Sequence, residues 1–271
     1  FRTQFNNRFL NVRLSGIFIA DDFRSDLGFI RRTDILKINP QIELKFWPKK
    51  GKIQRHSFSV MPISIWRPEL DYENSDYTII STWEANFQNS SQLRFQMFNR
   101  YVKLYDEFDP TRTDDAIPLP ADQNYYYTSF EVSFRSDQRK KVSYRINPSV
   151  GQFFNGNKYS LESSLSVRLQ PYFSGSIQMN YDKIDLPDPY PDASIWLIGP
   201  KLDITFTKNM FWSTFFQYST QRENFSINTR FQWRVAPLSD LFLVYNDNYS
   251  TTVFSPRFRS LNLKFTYWLS I

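Results

Sequence analysis

A single histidine, His56, stands in the chain, and a serine, Ser57, follows it. Serine-hydrolase chemistry needs such a pair and a third group that orients the imidazole. A His/Asp protease needs a carboxylate beside the imidazole and further acids at the same mouth. With no second histidine and no cysteine, multi-histidine zinc sites, thiolate metal sites and disulfide frameworks are excluded. A second candidate group is acidic. Asp106, Glu107, Asp109, Asp114, Asp115 and Asp122 crowd one segment, and Asp185, Asp188 and Asp192 lie among prolines in another. Oxygen-rich loops bind calcium when their ligands follow a defined spacing, and neither segment matches an EF-hand-like pattern. Both read as solvated surface loops. No catalytic residue, cofactor or metal ligand is assigned.

The third group is the largest. Arg94, Arg135, Arg145, Arg168, Arg230 and Arg234 stand against Glu84, Glu131 and Glu162, with Arg13, Glu43, Lys45 and Asp203 beside them. The chain of 271 residues carries 33 basic and 27 acidic side chains, a net charge of +6. These are spread over its whole length, and the basic clusters at 49–52 and 139–141 fall in short connections. Nucleic-acid binders concentrate basic residues in one patch or stripe, so no nucleic-acid partner is expected. Basic groups at a bilayer surface pair with lipid phosphates instead.

The elements that hold these charges are strands. Tyr159, Leu161, Leu165, Val167 and Leu169 take one parity, and Ser160, Glu162, Ser164, Ser166 and Arg168 the other. Phe225, Ile227, Phe231, Trp233 and Val235 alternate in the same way with Ser226, Asn228, Arg230, Gln232 and Arg234. That period of two marks a strand with one apolar and one wet face. No segment holds a helical period over three turns. The pattern predicts about fourteen strands near 7–20, 32–48, 52–67, 76–89, 91–106, 124–137, 139–151, 157–170, 172–185, 194–207, 209–220, 224–236, 240–250 and 258–271. Short connections alternate with longer ones, the longest at 21–31 and 106–123. An even count returns the chain to its starting side, which places both termini at the short-turn end.

Alternation leaves open which face is buried. A soluble sandwich or adhesin-like array would bury the apolar parity, whereas an outer-membrane barrel turns it to lipid. Charges of both signs at mid-strand fit a wet lumen. Aromatics near strand ends, such as 125–127, Phe46-Trp47 and Tyr267-Trp268, fit interfacial girdles. The chain opens without an initiator Met or an apolar leader, which reads as a mature chain or a fragment. The expectation is an all-β chain: a single domain over 1–271, a transmembrane antiparallel up-and-down barrel of the Gram-negative outer membrane. Its short turns would be periplasmic and its longer loops extracellular. Leu263, Phe265, Tyr267, Leu269 and Ile271 would form the terminal strand that the barrel-assembly machinery engages. By this topology His56 lies near the periplasmic rim, away from where a barrel phospholipase would need it.

Three stretches carry a resemblance: 32–47 (RTDILKINPQIELKFW), 228–247 (NTRFQWRVAPLSDLFLVYND) and 260–271 (SLNLKFTYWLSI). They resemble the C-terminal barrel of a Bacteroidota-type outer-membrane family of uncharacterised function, whose members carry an N-terminal, family-nine-like carbohydrate-binding domain. The resemblance implies that the chain is the barrel part of a longer protein. It marks fold and location rather than a chemical site; the expected function is a non-enzymatic membrane anchor or subunit of a larger outer-membrane assembly, with a pore for small solutes such as saccharides as the alternative and an enzyme as a third reading. The expected partners are outer-membrane lipid and lipopolysaccharide, the assembly machinery during insertion, and other outer-membrane or surface-exposed proteins.

Overall fold

The structure, a computed structural model, describes every residue except 27, 31, 114, 115, 270 and 271. Fifteen strands form one sheet in strict sequence order: β1 Arg2–Asn6, β2 Leu10–Ile19, β3 Ile35–Phe46, β4 Ile53–Arg67, β5 Glu73–Phe87, β6 Gln92–Leu104, β7 Gln123–Arg135, β8 Val142–Phe153, β9 Gly156–Leu169, β10 Phe173–Asp185, β11 Ala193–Thr207, β12 Met210–Ser219, β13 Asn224–Ala236, β14 Ser239–Ser250 and β15 Pro256–Thr266. The pairings are antiparallel throughout the described ladders. One 3-10 turn, Pro68–Leu70, is the sole helical element among the described residues. The sheet order runs from β1 to β15 without a crossover. β1 and β15 are therefore its two edge strands, and among the described residues no pairing between them closes the sheet into the expected barrel.

Strands β2 to β15 correspond to the fourteen read from periodicity, and β1 is an addition. Five residues hold too few alternations to register as a strand, yet Arg2–Asn6 pairs with β2 from Arg2↔Ser15 to Asn6↔Asn11. The last strand is shorter than expected. β15 ends at Thr266, which pairs with Asp240 near the start of β14, and beyond it the Trp268 amide donates to the Ser239 hydroxyl at 3.0 Å. Connections alternate in length as anticipated except at β4–β5, where 68–72 is shorter than the β3–β4 turn at 47–52, and between β8 and β9. There β8 runs on to Phe153 and only Phe154 and Asn155 intervene, with Phe154 taking the turn at φ 51°. Prolines interrupt ladders locally because they lack an N–H donor. The β3–β4 register skips 39–41 around Pro40, opposite Pro62, and the β11–β12 register skips Pro200.

The chain divides into two compact units. One comprises Phe1–Phe134, Pro148–Tyr159 and Ile184–Asp192, and the other Arg135–Asn147, Ser160–Lys183 and Ala193–Ile271. In both, the apolar parity of the strands is the exposed one. Ile42, Phe58 and Val60 are 55%, 49% and 48% exposed in the first unit, and Leu243 and Leu263 are 38% and 69% exposed in the second. Buried apolar residues number five among those described: Ala85, Leu119, Tyr127, Ile184 and Ala193. Polar side chains take the more covered positions, Ser57, Ser143, Thr214 and Asp247 among them.

Candidate functional site

The charged parity is built by register. On β5, Glu84 lies directly opposite Arg94 of β6 and opposite Ser57 of β4. Arg94 donates to its Oε2 from Nε and an Nη at 3.1 and 3.0 Å, and Arg55 donates to its Oε1 at 3.2 Å. Asn86 adds a fourth hydrogen bond at 2.9 Å. Directly opposite charges attract across a ladder, and here a carboxylate is clamped from both sides. Arg55 was not among the expected charges; it lies diagonal to Glu84 on the neighbouring strand, opposite Asn86.

The other expected residues divide by location. In the first unit Glu131 is half-buried on β7, and nearby Arg100 donates to Ser129 at 2.6 Å while lying 4.4 Å from the Phe98 ring centre. In the second unit Arg145 and Glu162 line one hollow of ≈ 190 Å³ with Ser164, Gln178 and Asn180. Arg135 buries its Nε without a partner. Arg234 meets Asp240 at 3.4 Å beside the β13–β14 turn. Arg230 is exposed on β13, in register with Ser213 and Val244. Arg168 acts locally: it donates to the Gln138 carbonyl and, at 3.5 Å, to that of Lys140, tying down the turn after β7. Leu263 and Phe265 are exposed on β15, Tyr267 and Leu269 follow its end, and Ile271 lies outside the described residues.

His56 and Ser57 occupy adjacent positions of β4 and therefore point to opposite faces. The imidazole packs between Phe46 and Phe58, with ring centres 5.3 and 6.0 Å away. The serine hydroxyl is on the charged face, so the two do not form a dyad. The acidic loops are likewise structural. Asp109 accepts from the Thr111 amide and hydroxyl and the Thr113 amide, at 2.6–3.0 Å. Among the described residues no group of three acidic or histidine side chains is placed to hold a metal; Asp114 and Asp115 lie outside them.

Two polar clamps at strand ends went unrecognised in the sequence. Asp34 accepts from Arg67 at 2.7 Å and from the Glu69 amide at 3.0 Å. Burial works to raise its pKa, and those two donors outweigh it and hold the carboxyl below its ordinary value. Asp137 accepts a two-pronged guanidinium contact from Arg139, both at 3.0 Å, and the Arg139 amide as well. These bonds lower its pKa to about 2. Just after β6, burial and the Glu73 carboxylate push the Tyr105 phenol up to about 12. A D-x-R triplet at a turn is the one signal that would have exposed the Asp137 clamp.

One family model, described as a domain of unknown function (DUF5916), matches residues 6–192, more than half of the chain. The chain belongs to the DUF5916 family. Of the three stretches that carry the resemblance, 32–47 lies within the match, whereas 228–247 and 260–271 lie beyond it. Neither a curated protein nor a solved structure matches this DUF5916 chain.

Proposed function

We propose that this DUF5916 chain is the transmembrane part of an outer-membrane β-barrel, of the Bacteroidota-type kind that follows a carbohydrate-binding domain. In this reading it serves as a membrane anchor or subunit of a larger surface assembly without enzymatic activity of its own. The observation that carries the reading is the inversion of the faces: apolar side chains are exposed along strand after strand, while the buried apolar set numbers five among the described residues. In water, burying apolar surface is the main driving force of folding, and contiguous exposed apolar surface beyond a few hundred Å² marks a partner or a membrane. Lipid on that face removes the contradiction. The reading also requires the two edge strands to be covered in the membrane, by each other or by further strands, because lipid satisfies no backbone N–H or C=O.

The aromatic distribution supports the same reading. At the short-turn end Phe46, His56 and Phe58 pack together in one unit, and Phe206 with Trp212 in the other. At the long-loop end Tyr77, Tyr101 and Tyr126 stack across three strands, and Tyr181 meets Trp196. Phe225 and Trp233, on one face of β13, stand roughly 27 Å apart along the strand at ~3.4 Å per residue. A tilt of ~40° reduces that to roughly 20 Å, close to the ~25 Å apolar band of outer-membrane barrels. No helix of the described residues is long and apolar enough to cross a membrane, so strands are the spanning elements in this reading.

The test is fractionation of cells expressing the chain behind a secretory leader. It should sediment with outer membranes, resist alkaline extraction and migrate faster on gels before boiling than after. Recovery in the soluble periplasmic fraction as a folded protein would exclude a membrane barrel. A solute pore is the second reading, favoured by the polar hollows on the charged face.

A further inference from the structure

On the charged face of β3 to β6, three successive cross-strand rows line an open hollow of ≈ 260 Å³. The middle row runs Glu43, Ser59, Thr82 and Gln96, each opposite the next in register. Its hydrogen bonds are incompletely used. Glu43 accepts one bond, from Asn11 to Oε2 at 3.2 Å, and the Thr82 hydroxyl accepts from Gln96 at 3.0 Å. The second carboxylate oxygen of Glu43, the Thr82 proton and the Gln96 carbonyl stay open, and Gln41 and Ser59 have no side-chain partner among the described residues. The row below is closed by the Glu84 clamp with Arg55 and Arg94. The row above adds Met61 and Ile80, which face each other in register, the Met61 sulfur accepting from an Arg13 guanidinium nitrogen at 3.3 Å and its methylenes remaining apolar.

We propose that this hollow binds one small neutral polyol, a single ring carrying several hydroxyls. Each hydroxyl is both donor and acceptor, and the open groups here alternate in kind: carboxylate, hydroxyl, carboxamide. A carboxylate oxygen accepts from hydroxyls in short, charge-assisted bonds. Met61 and Ile80 offer an apolar wall to the C–H face of such a ring. Guanidinium and carboxylate groups are interspersed around the hollow, with Arg13 diagonal to Glu43 across the β2–β3 ladder, so no single-sign field selects an ion. The volume lies just under the ~300–1,000 Å³ of drug-sized pockets and suits one ring, not a chain of them. The inference rests on the reading that this face is wetted, and it requires no conducting lumen.

The experiment is calorimetric titration of the full chain, folded in detergent micelles, with D-glucose and with myo-inositol. Folding is checked separately by heat-modifiable gel migration, which reports on the barrel reading alone. At least one of the two should bind saturably in the millimolar range, as expected for a ligand of about a dozen heavy atoms. Glu43→Gln should weaken that binding at least about tenfold, Gln96→Leu should weaken it as well, and Glu162→Gln, in the other unit, should leave it unchanged. Absence of saturable binding to folded chain would overturn the proposal. So would binding that neither Glu43→Gln nor Gln96→Leu alters in folded protein, or tighter binding of inorganic phosphate than of either polyol.

Discussion

Glu84 is held by two guanidiniums and keeps 15% of its side-chain surface exposed. Replacing it with glutamine leaves Arg55 and Arg94 facing each other without a counter-charge. Removing one partner of a fully buried pair costs ~3–5 kcal/mol, and partial exposure screens the charges, so Glu84→Gln should destabilise by about 1–3 kcal/mol. Urea unfolding in micelles measures this, and an unchanged midpoint would show the clamp to be ornamental. The Asp137 clamp predicts a pH dependence. Its carboxyl titrates at about 2 in the folded chain against an ordinary 3.8. A depressed carboxyl stabilises the fold fully above its unfolded pKa, and that contribution fades as pH falls through the folded one. Wild type and Asp137→Asn should therefore differ by a constant amount above about pH 5 and converge between pH 4 and pH 2. A gap that persists undiminished at pH 2 would mean that the Arg139 contact does not depend on ionisation.

At the scale of the strand, the proposed membrane reading turns on which parity would meet lipid. Val60 sits at the middle of β4 on the exposed apolar parity, and Ser59 beside it faces the charged side. Arginine at a lipid-facing midplane position costs ~2–4 kcal/mol. Val60→Arg should show that cost in bilayer unfolding, while Ser59→Arg should show much less. Equal penalties at the two positions would return the sheet to a soluble, two-sided packing. The strands themselves were readable because alternation over ten or more residues leaves little ambiguity: β9 and β13 match their expected spans to within a residue or two. What escaped reading depends on partners distant in sequence. Arg2–Asn6 becomes a strand only through β2. β15 stops at Thr266, paired with Asp240, and beyond it the contact with Ser239 of β14 is made by a side chain. Arg168 shares the parity of the other strand charges, yet its reach to the Gln138 carbonyl follows from how β9 lies beside the β7–β8 turn. The Glu84–Arg94 pair lies directly opposite in one hairpin and was within reach of sequence reading, whereas the diagonal contact from Arg55 required the β4–β5 register.

For the whole molecule, strand number and charge placement bear on orientation and transport. Fourteen strands would return the chain of the proposed barrel to its starting side, but β1 adds a fifteenth, and an odd number would not. In the proposed barrel the C-terminal end of β15 would stay with the short turns and the start of β1 would lie at the other end. In the proposed orientation a tag at Ile117, an exposed residue of the β6–β7 loop, should be reachable on intact cells, and one at Leu238 should not. The reverse result would invert the topology. Conduction is the remaining question. Barrels of eight strands are filled by their own side chains, whereas those of 16–18 leave an aqueous channel, and a barrel closed from these fifteen strands, as proposed, would lie near the upper limit of that interval. Its charged face projects long Arg and Glu side chains, several of them fixed: Arg94 and Arg55 on Glu84, Arg234 on Asp240. Fixed charged arms of both signs narrow a lumen and raise the barrier to either sign of ion. Purified chain in planar bilayers should therefore show no stable porin-like conductance. Arg168 is a poor probe of this point, since it is committed to a turn, and Arg145 and Arg230 are better ones. A steady conductance that falls when both are neutralised would establish an open path along the charged face and make solute passage, not anchoring, the function of this chain.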